Sequence, residues 1–377
     1  MKIIKLMGCC ILICFLAGCS AQSYEDARQV EKMTLDELKE NKNQELSKIQ
    51  NLEFDNLTFQ HVDDFRVPDE IGKYKVMIID HFEDKAEELF EKYIPESVYQ
   101  KGNITDGAEY YPVGPDFNDP ESGLHVGVGC IGFFNYFRDS NSSIVDIIGN
   151  DALEEYSLLY EKEKMNTGEN GGNNNTIEVV TRVENFVDDF CSTTSYPDDL
   201  EPVMIAIHKD ENGEKIFQSD LRFIFKDTPV NYMGCKLPGD EEQEIPYFPA
   251  ATCYLNQDFE IEYFCVQCAF EEKDTIENYQ EIITPSQAAQ ILSEKLSDYR
   301  KYNVKGMELV YCPKRIKDVD NKEQNEMHRK NAGWALACSY DEWEFIPCWA
   351  FYFSTISQKE MYGLVDVKTG EAVYIEN

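Results

Sequence analysis

Residues 284–299 read TPSQAAQILSEKLSDY, and this stretch decides how the second half of the chain is read. Thr284 suits an N-cap, because its hydroxyl can accept from a first-turn N–H that has no partner inside the helix. Pro285 suits the first helical position, where no N–H is needed, and Gln287 stands where a capping box closes. Ala288, Ile291, Leu292, Leu296 and Tyr299 then recur at helical spacing. Downstream the pattern becomes strand-like, with candidates at Gly306–Cys312, Gly333–Tyr340, Pro347–Ser354 and Met361–Val367. The turn Lys368-Thr369-Gly370-Glu371 leads into a last strand, Ala372–Ile375. A helix followed by such strands buries both apolar faces when it packs on an antiparallel sheet. Residues 284–377 are expected to form one α+β domain.

Upstream, residues 52–283 read as a second α+β domain. Lys73–Asp80, Leu124–Phe137, Thr176–Val183, Val203–Lys209, Ile216–Phe225 and Thr252–Phe270 are strand candidates. Asp210–Gly213 reads as the hairpin turn between two of them. Helices are expected at Glu83–Ile94, stopped by Pro95, and at Asp151–Met165. Residues 166–175, NTGENGGNNN, hold no apolar residue and predict a mobile loop. The expectation is an α+β fold of mostly antiparallel sheets with few helices, in two globular domains behind an N-terminal tether. That tether, residues 19–51, is read as partly helical from its sparse apolar positions Met33, Leu35, Leu38, Leu46 and Ile49.

Residues 1–18, MKIIKLMGCCILICFLAG, place Lys2 and Lys5 before an apolar stretch too short to span a bilayer comfortably. The stretch ends in Leu16-Ala17-Gly18-Cys19, which resembles a bacterial lipobox. That resemblance implies cleavage before Cys19, a diacylglycerol on its thiol, and a protein held on the outer face of the cytoplasmic membrane. Cleavage would remove Lys2 and Lys5 and take the formal charge from −36 to −38. It would also leave nine thiols besides Cys19. Most lie in strand-like apolar runs, where a thiol packs as a small hydrophobe.

The chain is 42% hydrophobic and 12% aromatic, enough apolar surface to fold despite 71 acidic residues against 35 basic. A surface this acidic repels phosphate backbones, which excludes a nucleic-acid partner. No second apolar run is long enough for a multi-span membrane protein.

Gly127-Val128-Gly129-Cys130-Ile131-Gly132 matches G-x-G-x-x-G, but the dinucleotide fingerprint needs its last glycine to open a helix, and strand-like Phe133–Phe137 follows. Cys265-Val266-Gln267-Cys268 matches C-x-x-C, yet sits in a strand-like run with no second pair to complete a zinc site. The five histidines show no ligand spacing, and His81 beside Asp80 and Glu83 is the one candidate base. Asp318-Val319-Asp320-Asn321 lacks the glycine and glutamate of a calcium loop. No catalytic residue, metal site or cofactor is assigned.

The C-terminal aromatics are the remaining candidate surface. In Cys348–Phe353 both strand faces are apolar, so one must be covered by the rest of the chain or by a partner. Trp343, Trp349, Phe351 and Phe353 are the candidate interface residues, with cover from within the chain the favoured reading.

Thr284–Asn377, a capped helix followed by strands ending VDVKTGEAVYI, resembles PepSY-type modules and the extracytoplasmic YycH/YycI-type regulators. With the Cys19 motif, the chain is similar to lipoproteins of Gram-positive gut clostridia. The resemblance implies binding and restraint, since PepSY modules resemble protease-inhibitory propeptide domains and YycH-type proteins regulate a membrane sensor kinase. Here a lipid signal stands where YycH-type proteins have an anchoring helix. The expected function is a non-enzymatic, lipid-anchored surface protein that binds an envelope protein or peptide. The alternatives are a small-ligand-binding lipoprotein and a cell-wall-directed hydrolase.

Overall fold

The helix read from residue 284 forms over Pro285–Lys295, and Thr284 Oγ1 accepts from the Gln287 N–H at 3.2 Å. The computed structural model describes residues 30–52, 54–59, 62–79, 100–101, 113–119, 124–129, 134–138, 152–158, 173–196, 199–210, 212–245, 250–266, 269–296, 300–316, 342–355 and 360–376. The motif Leu16–Cys19 expected to be a lipobox, the helix expected at 83–94, His81 and the strand expected at 333–340 lie outside these residues.

From the N-terminus come β1 (Lys32–Met33), α1 (Leu35–Glu40), α2 (Lys42–Asn51), β2 (Leu57–Thr58) and β3 (Gly72–Ile79). Short strands follow: β4 (Gln100–Lys101), β5 (Val113–Asp119), β6 (Leu124–Gly129), β7 (Phe134–Arg138) and β8 (Glu154–Ser157). Helix α3 (Asn173–Thr194) precedes the long hairpin β9 (Asp199–Lys209) and β10 (Lys215–Phe225). Then come β11 (Thr228–Pro229), β12 (Cys235–Leu237), β13 (Asp240–Ile245), β14 (Ala251–Leu255), β15 (Ile261–Val266), β16 (Ala269–Asn278) and β17 (Ile282–Ile283). After α4 (Pro285–Lys295), the chain closes with β18 (Tyr302–Arg315), β19 (Glu342–Thr355), β20 (Glu360–Asp366) and β21 (Ala372–Glu376).

Among the described residues two large sheets result. A ten-stranded sheet runs β4-β5-β6-β7-β15-β14-β10-β9-β8, with β11 added to β10. A seven-stranded sheet runs β16-β3-β19-β18-β2, with β20 also paired to β19 and β21 paired to β20. Their strand pairs are antiparallel except β18 with β2, so the chain is an α+β protein of mostly antiparallel sheets. The seven-stranded sheet draws β2, β3 and β16 from before residue 284 and β18–β21 from after it.

Helix α4 covers one face of that sheet. Ala288, Ala289 and Leu292 are fully buried, and an added Cβ at Gly363 of β20 would lie 2.6 Å from Leu292 Cδ1. Glycine is needed there because the helix rests directly on the strand. Gly363→Val should cost about 1–3 kcal/mol by overpacking, read as a lower urea midpoint with an unchanged denaturant slope. On the same face the Trp349 indole N–H donates to Ile283 O at 2.8 Å, and Phe65 meets its ring edge-on at 5.5 Å. The opposite face packs Val310, Cys312, Cys348, Ala350, Tyr352, Tyr362 and Leu364 under Leu237 and Met233.

The turn into β21 follows from its residues. Asp366 Oδ1 accepts from the N–H groups of Lys368 and Thr369, both at 2.8 Å, and Gly370 adopts φ +76°. An Asp that bonds the backbone two and three residues on, before a glycine in the left-handed region, makes a tight turn.

The segment Lys32–Asn51, read as tether, is built into the core instead. Lys32 and Met33 pair with Ile283 and Ile282. Leu38 and Ile49 are fully buried. Glu45 is also fully buried, where its Oε2 accepts from Ser286 Oγ at 2.8 Å and its Oε1 lies 2.7 Å from Lys48 Nζ. That carboxylate stands beside the first turn of α4, where the helix dipole favours negative charge.

Three local expectations are corrected. Thr176–Val183, expected as a strand, and Asn173–Asn175, from the loop expected at 166–175, belong to helix α3. Thr176, Val179, Val183, Val187 and Phe190 are buried at helical spacing. Phe186 and Phe190 both stack edge-on against Phe264 at 5.1 Å. Within the helix expected at 151–165, Glu154–Ser157 instead forms β8, an edge strand on β9. The run Thr252–Phe270 is divided among β14, β15 and β16, and β14 and β15 part where Asn256 Oδ1 accepts from the N–H groups of Asp258 and Glu260 and turns the chain.

Candidate functional site

Side chains alternate between the faces of a strand, so Gln218, Asp220 and Arg222 share one face of β10. Phe217, Ser219, Leu221 and Phe223 share the other. Buried polar groups are more informative than buried apolar ones. Asp220 and Arg222 are 1% and 3% exposed, and His208 on β9 is 5% exposed.

The polar row is hydrogen-bonded in series. Asp220 Oδ1 accepts from Gln218 Nε2 at 2.9 Å and from Thr252 Oγ1 at 3.1 Å. Gln218 therefore turns its carbonyl oxygen outward, 3.0 Å from His208 Nε2. A carboxylate only accepts, so this arrangement fixes the amide orientation and gives Nε2 the proton.

Arg222 is the centre of the site. Its Nε and Nη2 donate to Glu201 Oε2 at 3.0 and 2.8 Å. Its Nη1 and Nη2 donate to the two Glu308 oxygens at 2.5 and 2.8 Å. Tyr352 Oη donates to Glu308 Oε1 at 2.6 Å, and Arg66 Nη2 reaches Glu201 Oε1 at 3.1 Å. Burial alone would push the guanidinium down; the Glu308 and Glu201 carboxylates outweigh it and hold Arg222 charged at any ordinary pH. Burial and then Glu308 push the Tyr352 phenol well up. Glu201 belongs to the ten-stranded sheet and Glu308 to the seven-stranded one, so one guanidinium ties the sheets together.

A second ionic contact lies at the end of β10. Lys226 and Asp227 adopt φ +48° and +60°, the left-handed pair of a tight hairpin turn into β11. Lys226 Nζ reaches Glu70 Oε1 at 2.6 Å and Glu272 Oε2 at 2.9 Å, and lies 4.6 Å above the Tyr74 ring. These contacts hold a non-glycine residue where its backbone is strained.

Burial and contact hold Cys253, Cys265 and Cys312 protonated. Cys191, Cys253, Cys265, Cys312 and Cys348 are thiols, all buried except the half-buried Cys191. Burial pushes Cys265 up to about 12 and Cys253 higher still. Contact with Cys348 and then burial raise Cys312. The thiolate is the reactive form. Iodoacetamide on the native protein should therefore modify Cys191 and spare Cys253, Cys265, Cys312 and Cys348 until urea is added. Peptide mass mapping checks this.

Trp343, Trp349, Phe351 and Phe353 are each at most 5% exposed, so they are core side chains covered from within the chain. Gly127 and Gly129 lie in β6, which pairs antiparallel with β7, so a strand follows where the dinucleotide motif needs a helix. Cys265 lies in β15, and its C-x-x-C partner Cys268 is outside the described residues, as is Cys19. Among the described residues no group of three His, Cys, Asp or Glu side chains could hold a metal ion. An open groove of about 490 Å³ lies between Ile291, Glu294 and Lys295 of α4, Gly239, and Gly370–Ala372. Two of its seven lining residues have apolar side chains, unlike the mostly apolar walls of small-molecule sites.

Fold and site together define an α+β protein whose two large, mostly antiparallel sheets are joined by a buried ionic clasp. No protein-family model and no curated protein matches the chain. The crystal structure of an uncharacterised protein from Eubacterium rectale is similar to it, with a TM-score of 0.54 at 12% identity over 89% of this chain and 99% of that one. At that identity the likeness is one of fold. The C-terminal domain of Bacillus megaterium YpeB aligns over 78% of this chain and 96% of its own at 10% identity. Its TM-score of 0.33 carries no argument.

Proposed function

We propose that the chain is a lipid-anchored protein of the outer face of the cytoplasmic membrane, and a non-enzymatic module that binds an envelope protein or peptide. The observation that carries the anchor is Leu16-Ala17-Gly18-Cys19 after a lysine-flanked apolar stretch. The PepSY-type pattern of Thr284–Asn377 supports a binding role. Arg222 and Asp220, the buried charged groups at the centre of the site, are engaged with neighbouring side chains. Arg222 is shared by two carboxylates, Asp220 accepts from two side chains, and the Cys253, Cys265 and Cys312 thiols are pushed up and stay protonated. Groups committed in this way favour holding a shape over turning over a substrate.

Two measurements test the reading. Cys19→Ser should abolish acyl labelling and leave the protein unprocessed or released from membranes, and unchanged labelling and size would overturn the anchor. Crosslinking on intact cells, followed by reciprocal capture, should return one envelope partner whose own pull-down recovers this chain. Failure to recover any protein partner would count against a binding module.

A further inference from the structure

Strand β21 pairs with β20 on one side, and among the described residues no strand pairs with its other side. Which backbone groups that edge presents follows from its first hydrogen bond. Asp366 N–H donates to Glu371 O at 2.9 Å, so Glu371 turns its carbonyl inward. Hydrogen-bonded and non-bonded pairs alternate along an antiparallel ladder, so Val373 also faces inward, while Ala372 and Tyr374 direct N–H and C=O outward. We propose that this edge takes up an extended, basic segment of the partner protein, which adds to the seven-stranded sheet as a further strand. This rests on the binding role proposed above and goes beyond it by naming the surface and the chemistry of what it holds.

Three observations converge on that edge. The first is shape. The edge begins in a slot: Ile291 of α4 lies 3.2 Å from where a Cβ at Gly370 would stand, and on the other side a Cβ at Gly239 would collide with the Glu371 carboxylate. The open groove of about 490 Å³ lies between these walls and reaches Ala372. An added strand would run about 4.8 Å from β21, inside that space.

The second is the lack of protection. The edge strand β16 carries Glu271, Glu272, Lys273 and Asp274 and shifts register twice against β3. Charges and bulges of that kind guard an edge against pairing. Strand β21 pairs with β20 without a register shift, and Ala372–Ile375 holds no charged residue. The third is charge. Glu294 and Glu371 line the groove against one ammonium, Lys295. In strand addition the main chain supplies affinity and the flanking side chains supply choice, and here the excess carboxylate selects a basic side chain.

The test titrates the full chain with two acetylated, amidated hexapeptides, one alternating valine with lysine and the other valine with glutamate. The lysine peptide should bind saturably, and the glutamate peptide several-fold more weakly. N-methylation throughout the lysine peptide keeps its charge and removes its donors, and should weaken binding about tenfold or more. Ala372→Pro removes an outward N–H without touching the ladder to β20, and should do the same with an unchanged circular dichroism spectrum. No binding of the lysine peptide, equal binding of the glutamate peptide, or binding that survives either N-methylation or Ala372→Pro would overturn the proposal. A dimer of this chain that Ala372→Pro dissolves would overturn it in favour of a second copy. Crosslinking on intact cells keeps the two failures apart. The same partner captured with Ala372→Pro as with wild type removes this edge and leaves the binding module standing, whereas no partner from wild type removes the binding module itself.

Discussion

Replacing Arg222 with methionine should lower the free energy of unfolding by about 3–5 kcal/mol, the cost of removing one partner from a buried ionic group. Urea denaturation of both proteins measures it, with an unchanged slope showing that the two states are still being compared. Methionine keeps much of the volume and flexibility of the side chain, so the loss isolates the charge and its four donated hydrogen bonds. The two carboxylates would not suffer equally. Glu201 is 31% exposed and keeps Arg66, whereas Glu308 is 15% exposed and would keep only the Tyr352 hydroxyl among the partners described above. Glu308→Gln added to Arg222→Met should therefore recover part of the loss, while Glu201→Gln should recover less. Arg222→Lys should fall between the single variant and wild type, because one ammonium cannot reproduce a fork aimed at two carboxylates. The guanidinium's own titration lies above its unfolded value, so its contribution is complete at lower pH and introduces no pH dependence between pH 5 and 9.

Nothing near Arg222 in sequence announces its burial, for a physical reason. Its partners lie 21 and 86 residues away, and a lone arginine in a strand-like run reads as an exposed charge until topology brings those carboxylates to it. Where the cause is local, the sequence is readable. Thr284-Pro285 caps α4, Asp366 to Gly370 makes the last turn, and the β9–β10 hairpin closes at Asp210–Gly213, with Gly213 at φ +83°. Helix α3 failed for the opposite reason. Over eight residues TIEVVTRV shows the β-branched content of a strand, and the helical spacing emerges only when Val187, Phe190 and Thr194 are read with Val179 and Val183. Strand β8 could not be read locally at all, because a four-residue edge strand exists by pairing with Met204–Ile207. The aromatic run of β19 was legible as a strand apolar on both faces. That its cover comes from Phe65, Ile283 and Leu237 depends on contacts hundreds of residues apart in some cases and on no local pattern.

Deleting residues up to Glu31 should leave a folded body with its urea midpoint unchanged, whereas deleting up to Asn51 should abolish cooperative unfolding. A tether would give the same result for both deletions, so the contrast separates a spacer from a structural element. The second deletion strips Leu38, Leu46 and Ile49 from the core, each 7% exposed or less. Buried aliphatic side chains contribute roughly 1.5–3 kcal/mol apiece, and folded domains hold only about 5–15 kcal/mol in total. It also removes the β1–β17 pairing and withdraws Glu45 from Ser286, leaving the first turn of α4 without its buried anion. Helix α4 in turn covers Gly363 and Trp349's face of the seven-stranded sheet, so the damage reaches the strands that carry Glu308 and Tyr352. Circular dichroism and urea titration of the two truncations make the measurement. A stable, cooperative fold in the chain that begins at Leu52 would show that α1 and α2 only rest on the body. Loss of folding in the chain that begins at Lys32 would place part of the core upstream of β1.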